Sequence, residues 1–413
     1  MRMVVKFGGT SLATPELVSR AAAKVRTMAR GHQVAVVVSA MGDTTRKMMD
    51  LLKGVGRRES TLWEVSEVIG LGEVISARLL AIALRKAGAK ARAVTPESDA
   101  WPVVAGVIGD GRIEEEKVNQ EPLAAIRLGK TTELCSKKIL PLMEKKIIPV
   151  LCGFLARDDQ GRLVVLGRGG SDISAVALGR CLAADRVIIV TDVPGVLMAD
   201  PKVIPTKRSI ARMSVDEVES LARGGARVIH PSSLQYKLPD QQIFIVDFGS
   251  RSFLKGGTEI VGTRQAEVMK TPGALACITV VGKDFIRTHG LLHAITDRLS
   301  RLKISIYGVS ASETFIAIYV RQEHSERSYA EIFEEVKRQP KFSAVSVMKG
   351  IGRLRLSSPA FIEQPGIIGR IGDLLAMKGI NIIEMVTIQT DITIFIAVAD
   401  LPKAFSLLKA FSF

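Results

Sequence analysis

A chain of 413 residues has room for two or three domains and a large buried core. Apolar residues make up 47% and aromatics only 5%, so the core must be aliphatic, as in α/β proteins of Val/Ile/Leu strands and Ala/Leu helices. The net charge of +15 comes from scattered Lys and Arg with no basic block interleaved with aromatics, which argues against nucleic acid as a partner.

Residues 3–7 (Met-Val-Val-Lys-Phe) read as a buried strand running into Gly8-Gly9-Thr10-Ser11, followed by a helix through Met28. Lys6 is the informative residue. It either snorkels to solvent from an edge strand or meets an anion, and beside Gly-Gly-Thr-Ser a phosphate contact is expected. Residues 34–38 form a second strand ending in Ser39-Ala40-Met41-Gly42, with Thr44 and Thr45 next. Residues 46–97 read largely helical, and Glu73 within them is either a surface carboxylate or part of a site. Residues 91–94, 103–108 and 146–153 are further strands, the last ending at Gly153-Phe154.

Residues 163–166 then deliver a strand into Gly167-Arg168-Gly169-Gly170-Ser171-Asp172, which opens a helix. Glycines let backbone N–H groups approach a ligand, and a helix N-terminus favours an anion. Arg168 can grip a carboxylate bidentately, and Asp172 can orient cations. The turn lacks the Lys-Ser/Thr close of a P-loop and the Rossmann glycine spacing. A strand over 186–190 ends in Thr191-Asp192, Ser214 with Glu217 makes a capping box, and residues 244–247 are read as the last strand of this part, closed by Gly256-Gly257-Thr258. Strands alternating with helices predict an open, mainly parallel sheet with ligands at the strand C-termini.

Beyond residue 264 the pattern changes. Gly290, Asp297, Leu299 and Ile304 recur 76 positions later as Gly366, Asp373, Leu375 and Ile380. Each copy reads helix, strand, strand, which predicts a pair of ferredoxin-like units with a sensing or assembly role.

Cys135, Cys152, Cys181 and Cys277 share no CxxC or ligand spacing and lie in or beside apolar runs, so buried free thiols in a reducing compartment are expected. The five histidines show no HExxH pairing, so no protein-held metal is expected. A strand stands where a signal region would begin and no apolar run reaches transmembrane length, which predicts a cytoplasmic protein with no membrane partner.

Together these motifs resemble the aspartate kinases of the amino-acid kinase family, and the resemblance covers essentially the whole chain. Residues 6–11 are similar to KFGGTS, residues 39–42 with Thr45 to the second loop, Gly72-Glu73 with Ser76 to GE..S, and residues 167–172 to GRGGSD. Residues 191–193 with Asp200-Pro201 resemble TDVDG…DPR, and residues 225–231 resemble GAKVLHP. The resemblance implies a three-layer amino-acid kinase fold over residues 1–264 and paired βαββαβ ACT domains over 265–413. It implies ATP-dependent phosphorylation of the L-aspartate β-carboxylate, the first step of lysine, threonine and methionine biosynthesis. Lys6 with Gly8 and Gly9 would hold phosphates, and Asp172 would organise the cationic groups, with Arg227 also catalytic. Ser39, Thr45, Glu73, Phe154, Arg168, Gly169 and Ser171 would bind aspartate, Arg168 on a carboxylate and Glu73 on the amine. Thr191, Asp192, Leu197, Lys202 and Arg227 would line the nucleotide pocket, with Mg²⁺ held mainly by the phosphates.

Departures fall mostly on the nucleotide side: Arg227 replaces a lysine, Leu197 a tyrosine, Pro194 an aspartate and Lys202 an arginine, while Ile173-Ser174 follows the central turn. Thr288, Ser305, Ser312 and Glu313 would bind a lysine or threonine effector, with Tyr307 where lysine-sensitive members carry an acid. A homodimer or higher homo-oligomer through the ACT domains is expected, and no fused homoserine dehydrogenase. Two other readings remain open here: another carboxylate kinase of the family, and a non-enzymatic amino-acid sensor descended from a kinase.

Overall fold

The computed structural model describes residues 1–55, 60–108, 123–199, 203–204, 208–223, 229–263, 267–283, 285, 289–338, 340–358, 361, 366–388 and 391–411. The chain divides into two compact units, Met1–Arg264 and Gln265–Phe413.

Unit 1 starts with β1 (Arg2–Phe7), α1 (Pro15–Ala29) and β2 (Gln33–Val38), then helices α2 (Thr44–Val55), α3 (Leu62–Ile69) and α4 (Leu71–Lys86). There follow β3 (Ala91–Val94), the small antiparallel pair β4 (Ala105–Val107) and β5 (Ala124–Ile126), α5 (Leu128–Leu134), α6 (Leu140–Glu144) and β6 (Ile148–Cys152). A hairpin of β7 (Leu155–Arg157) and β8 (Leu163–Val165) leads into α7 (Gly170–Cys181) and β9 (Arg186–Thr191). The unit closes with β10 (Arg212–Ser214), α8 (Val215–Arg223), β11 (Gln242–Asp247) and β12 (Thr258–Val261).

The large sheet runs β10-β12-β11-β9-β1-β2-β6-β3. Every neighbouring pair in it is parallel except β11–β12. Helices cover it: α4 packs across β2, β3 and β6, and α7 across β1, β2 and β9. That explains the composition, because strands covered on both faces need unbroken Val and Ile rather than alternation. Residues 35–38 of β2 are fully buried. Gln242–Asp247 is not the last strand. Thr258–Val261 returns antiparallel beside it, too short a run after two glycines to read as a strand in the sequence. Ser214 and Glu217 form the expected capping box, the Glu217 N–H donating to Ser214 Oγ at 3.2 Å and the Ser214 N–H to the carboxylate at 2.7 Å. All four cysteines are buried and free.

Unit 2 is two ferredoxin-like modules. Its elements are β13 (Glu267–Lys270), β14 (Leu275–Gly282), α9 (Leu291–Arg301), β15 (Ile306–Ala311), β16 (Phe315–Arg321), α10 (Ser325–Arg338), β17 (Phe342–Ser357), α11 (Ile367–Ala376), β18 (Ile382–Ile388), β19 (Asp391–Ala397) and α12 (Leu401–Ala410). The repeat holds locally, since Gly290 and Gly366 both cap their helices in the left-handed region. The connectivity departs from a simple tandem. The first module pairs β14, β15 and β16 with the first part of β17, while the second uses the rest of β17 with β19, β18 and β13. One 16-residue strand therefore serves both modules, and the second takes its outer strand from upstream of the first. Each module has its own aliphatic core. A third cluster containing Cys277, Tyr319, Ile351 and Phe395 fills the seam between them.

Candidate active site

Three loops meet at the C-terminal ends of the parallel strands. The loop after β1 and the loop after β2 are stitched together, the Ser39 amide donating to Phe7 O and the Gly42 amide to Gly9 O, each at 3.1 Å. Gly9 has to be glycine for this approach, since a Cβ there would lie 2.6 Å from the Ala40 carbonyl oxygen. The third loop is the turn into α7, tied to the residue before β7 by the Leu166 amide on Phe154 O at 2.8 Å.

Lys6 reaches from the central strand to Asp172 in the first turn of α7. Its Nζ lies 2.8 Å from Oδ1, and the two side chains are 12% and 16% exposed. The strand is interior, so the edge-lysine alternative falls. The other carboxylate oxygen accepts the His230 amide at 3.1 Å. Asp172 is thus fixed from two sides, and Lys6 keeps donors to spare, because an ammonium has three.

Glu73 sits in the first turn of α4 with its side chain turned inward and only 3% exposed, so it is not a surface carboxylate. Its Oε1 accepts the Ala40 amide at 3.1 Å, and its Oε2 is buried with no partner. Burial pushes its pKa up to about 8, against the opposing pull of the Ala40 amide. A buried carboxyl with one bare oxygen is a receptor for a cation.

A cavity of about 300 Å³ gathers these groups: Lys6, Ser39, Thr45 and Glu73 line it with Phe154 and residues 167–172. Every residue expected at aspartate therefore stands on one cavity, with Lys6 and Asp172. Phe154 holds a left-handed φ of 68°, its amide donating to Ser174 Oγ at 3.1 Å. Arg168 is exposed at the rim.

The remaining expected residues are not gathered there. The Gly8 amide donates to Val190 O at 3.4 Å, a long bond that a phosphate oxygen could displace. Thr191 turns its hydroxyl to Val193, Asp192 is exposed, and Leu197 is half-buried in a bridge to Ser209. None of these three lines the cavity. Lys202, Arg227 and Thr288 lie outside the described residues. Ser305 is exposed just before β15, whereas Ser312 and Glu313 form the turn after it, where the Ser312 hydroxyl accepts the Thr314 and Phe315 amides. At 3.3 Å per residue Ser305 and Ser312 stand about 20 Å apart, so they cannot share one small effector within a single chain.

His230 has a place that the sequence did not show. Besides its amide on Asp172, its ring props the turn: a Cβ on Gly169, at φ 71°, would fall 2.1 Å from His230 Cγ. Its only sequence signal was membership of the 225–231 segment. Burial first, with repulsion from Arg168, holds the imidazole pKa below its ordinary value despite Asp172. Gly169→Ala should therefore push the Arg168 turn off its support and cut kcat/KM for the acidic substrate by about 10²-fold, on the scale of a 1 Å misplacement. Steady-state kinetics checks this, and unchanged kcat/KM would refute it.

Among the described residues no group of three or more His, Cys, Asp or Glu could hold a metal, and no helix is long and apolar enough to cross a membrane.

Comparison with known proteins bears on the family and the fold. Aspartokinase 2 of Bacillus subtilis (strain 168) is 28% identical over 420 residues, covering 97% of this chain and 95% of its own. The aspartokinase of Geobacillus stearothermophilus is 29% identical over 423 residues, covering 98% and 97%. The crystal structure of aspartate kinase from Synechocystis superposes with a TM-score of 0.74 at 25% identity, covering 98% of this chain and 68% of that one. Aspartokinase III of E. coli in complex with aspartate and ADP, at 20% identity and a TM-score of 0.54 over 99% of both chains, shares the fold. The amino acid kinase family profile matches residues 1–247, more than half of the sequence, and this chain belongs to that family.

Proposed function

We propose that the protein is an aspartate kinase, transferring the γ-phosphoryl group of ATP to the β-carboxylate of L-aspartate. The observation that carries this is the charge pattern of the cavity. One buried carboxyl with a bare oxygen shares it with an arginine, the complement of the ammonium and one carboxylate of a small amino acid, and with a largely buried lysine that is left for the phosphoryl group.

In this reading Glu73 takes the substrate ammonium and Arg168 one carboxylate, leaving the other free to attack. The carboxylate oxygen bonds to the γ-phosphorus as the bond to the ADP oxygen breaks, giving an acyl phosphate and ADP. A carboxylate is already deprotonated, so no general base is needed. The barrier is the approach of two anions, which positioning and fixed cations lower. Lys6, oriented by Asp172, supplies such a cation. Asp172, a carboxylate on the cavity beside Lys6, is the residue that would face a metal ion carried on the nucleotide's phosphates, and Mg²⁺ so held would neutralise phosphate charge. Thr191, Asp192 and Leu197, with Lys202 and Arg227, are assigned to the nucleotide by family resemblance.

Unit 2 is proposed to regulate the kinase in response to lysine or threonine and to hold subunits together in a homodimer or larger assembly. The protein is placed in the cytoplasm.

ADP release with L-aspartate, L-glutamate and N-acetyl-L-glutamate, each with and without lysine or threonine, tests the reading. Release dependent on aspartate and at least tenfold weaker with the other acids is expected. Preference for glutamate or acetylglutamate, or nucleotide binding without acid-dependent release, would overturn it.

A further inference from the structure

We propose that unit 2 carries an anion site at Arg353, in the seam between its two modules, for a small oxyanion of the carboxylate or phosphate kind. The second half of β17 splits its side chains between two faces. Leu354 and Leu356 enter the core of the second module, while Ile351 and Arg353 face the seam. Arg353 stands directly across from Phe395, and Phe395 from Glu384, so the three form a row across adjacent strands about 4.8 Å apart. Phe395 is stacked on Tyr319 of the first module.

The charges along this seam are unequally matched. Glu384 is occupied by the hydroxyls of Ser310 and Tyr319. Arg355 is gripped by Asp391 through two hydrogen bonds of 3.1 Å. Arg321 donates to the Tyr307 hydroxyl at 3.0 Å and lies 5.0 Å above its ring. Among the described residues Arg353 has no such partner. Its Nε is buried without an acceptor. Burial and repulsion from Arg355 depress its pKa, and the Tyr307 hydroxyl alone works the other way. Two guanidiniums thus bear on one phenol, with no carboxylate paired to either among the described residues.

Arg353 is half-buried, and a guanidinium nitrogen shut off from water without an acceptor carries a desolvation cost that a bound oxyanion would offset. A guanidinium also has the planar fork that takes an oxyanion through two parallel hydrogen bonds. Among the described residues the neighbouring carboxylates Glu384 and Asp391 are committed, which points to an anion from outside the chain. Because the seam joins the two modules, filling this site would tighten their packing.

The test uses the full chain carrying Lys6→Ala and Arg168→Ala, which remove both cations of the cavity in unit 1, with and without Arg353→Met. Unfolding midpoints are followed at constant ionic strength as chloride is exchanged for inorganic phosphate or, separately, for acetate. With Arg353 present, a saturable rise of about 2–4 °C is expected. The Met variant should lose that rise, and in anion-poor buffer it should melt no lower than its parent. The anion giving the larger rise identifies the ligand as phosphate or carboxylate. If the Met variant does not fold, Arg353→Lys decides, since losing the fork should raise the half-saturating concentration about tenfold. No saturable rise in the parent, an equal rise in the Met variant, or an unshifted Lys variant would overturn the site.

Discussion

Lys6→Ala should lower kcat by about 10²–10³-fold, the loss that follows removal of one preorganised donor to a developing charge, while KM for aspartate changes little. The reason lies in its position. Lys6 is on the fifth of eight strands, its ammonium held 2.8 Å from Asp172 and nearly excluded from water. It is poised against phosphates and takes no part in gripping the acid, so its loss is felt in the transition state. Lys6→Arg keeps the charge but changes reach and shape, and should recover only part of the rate. Lys6→Ala also strands the Asp172 carboxylate in a largely buried site, so a lower unfolding midpoint should accompany the rate loss. Turnover within a few-fold of the parent enzyme would remove Lys6 from the reaction.

The second large effect concerns Glu73. Before substrate arrives, burial holds its carboxyl protonated to a pH of about 8. An ammonium needs the ionised form, so binding aspartate below that pH has to expel the Glu73 proton. kcat/KM for aspartate should then climb about tenfold per pH unit and level off above a pH of about 8. Glu73→Gln should flatten this limb and lower its plateau by about 10²-fold, the range seen when one partner of a desolvated charge pair is lost. Stability gives an independent reading with its own sign. The folded-state pKa is raised above the unfolded value of 4.5, so Glu73's contribution is complete below pH 4.5 and is lost as pH rises through about 8. Over that window the parent should lose on the order of 3–5 kcal/mol relative to Glu73→Gln. Urea titrations across the range check this, and parallel pH profiles for the two proteins would refute it.

The sequence revealed the site's turns better than their supports. Lys6 and the 167–172 turn were legible because a lysine in an apolar strand and clustered glycines are locally costly and so mark themselves. The environment of Glu73 was not legible, since the spacing of α4 leaves both an inward and an outward face for a carboxylate at its first turn. His230 was invisible as a support because it acts through a backbone amide and a ring contact 58 or more residues from its partners, which no local pattern encodes. In unit 2 the repeat was legible, but the origin of the second module's outer strand was not. Residues 267–270 are two half-buried positions flanked by two exposed ones, and their partners lie beyond the whole first module, at 354–357. Such a short strand is defined by its pairing rather than by its own periodicity.

In the proposed reaction a carboxylate oxygen of the acid attacks the terminal phosphorus of the nucleotide within the Lys6–Glu73–Arg168 cavity. The most direct measurement uses L-aspartate labelled with ¹⁸O in its β-carboxylate, incubated with ATP, Mg²⁺ and hydroxylamine. Capture of the acyl phosphate at its carbonyl carbon would leave the bridging oxygen on phosphorus, so inorganic phosphate should carry one ¹⁸O and aspartyl hydroxamate should accumulate in equal amount. Unlabelled phosphate released without hydroxamate would mean that water, and not the substrate, is the nucleophile.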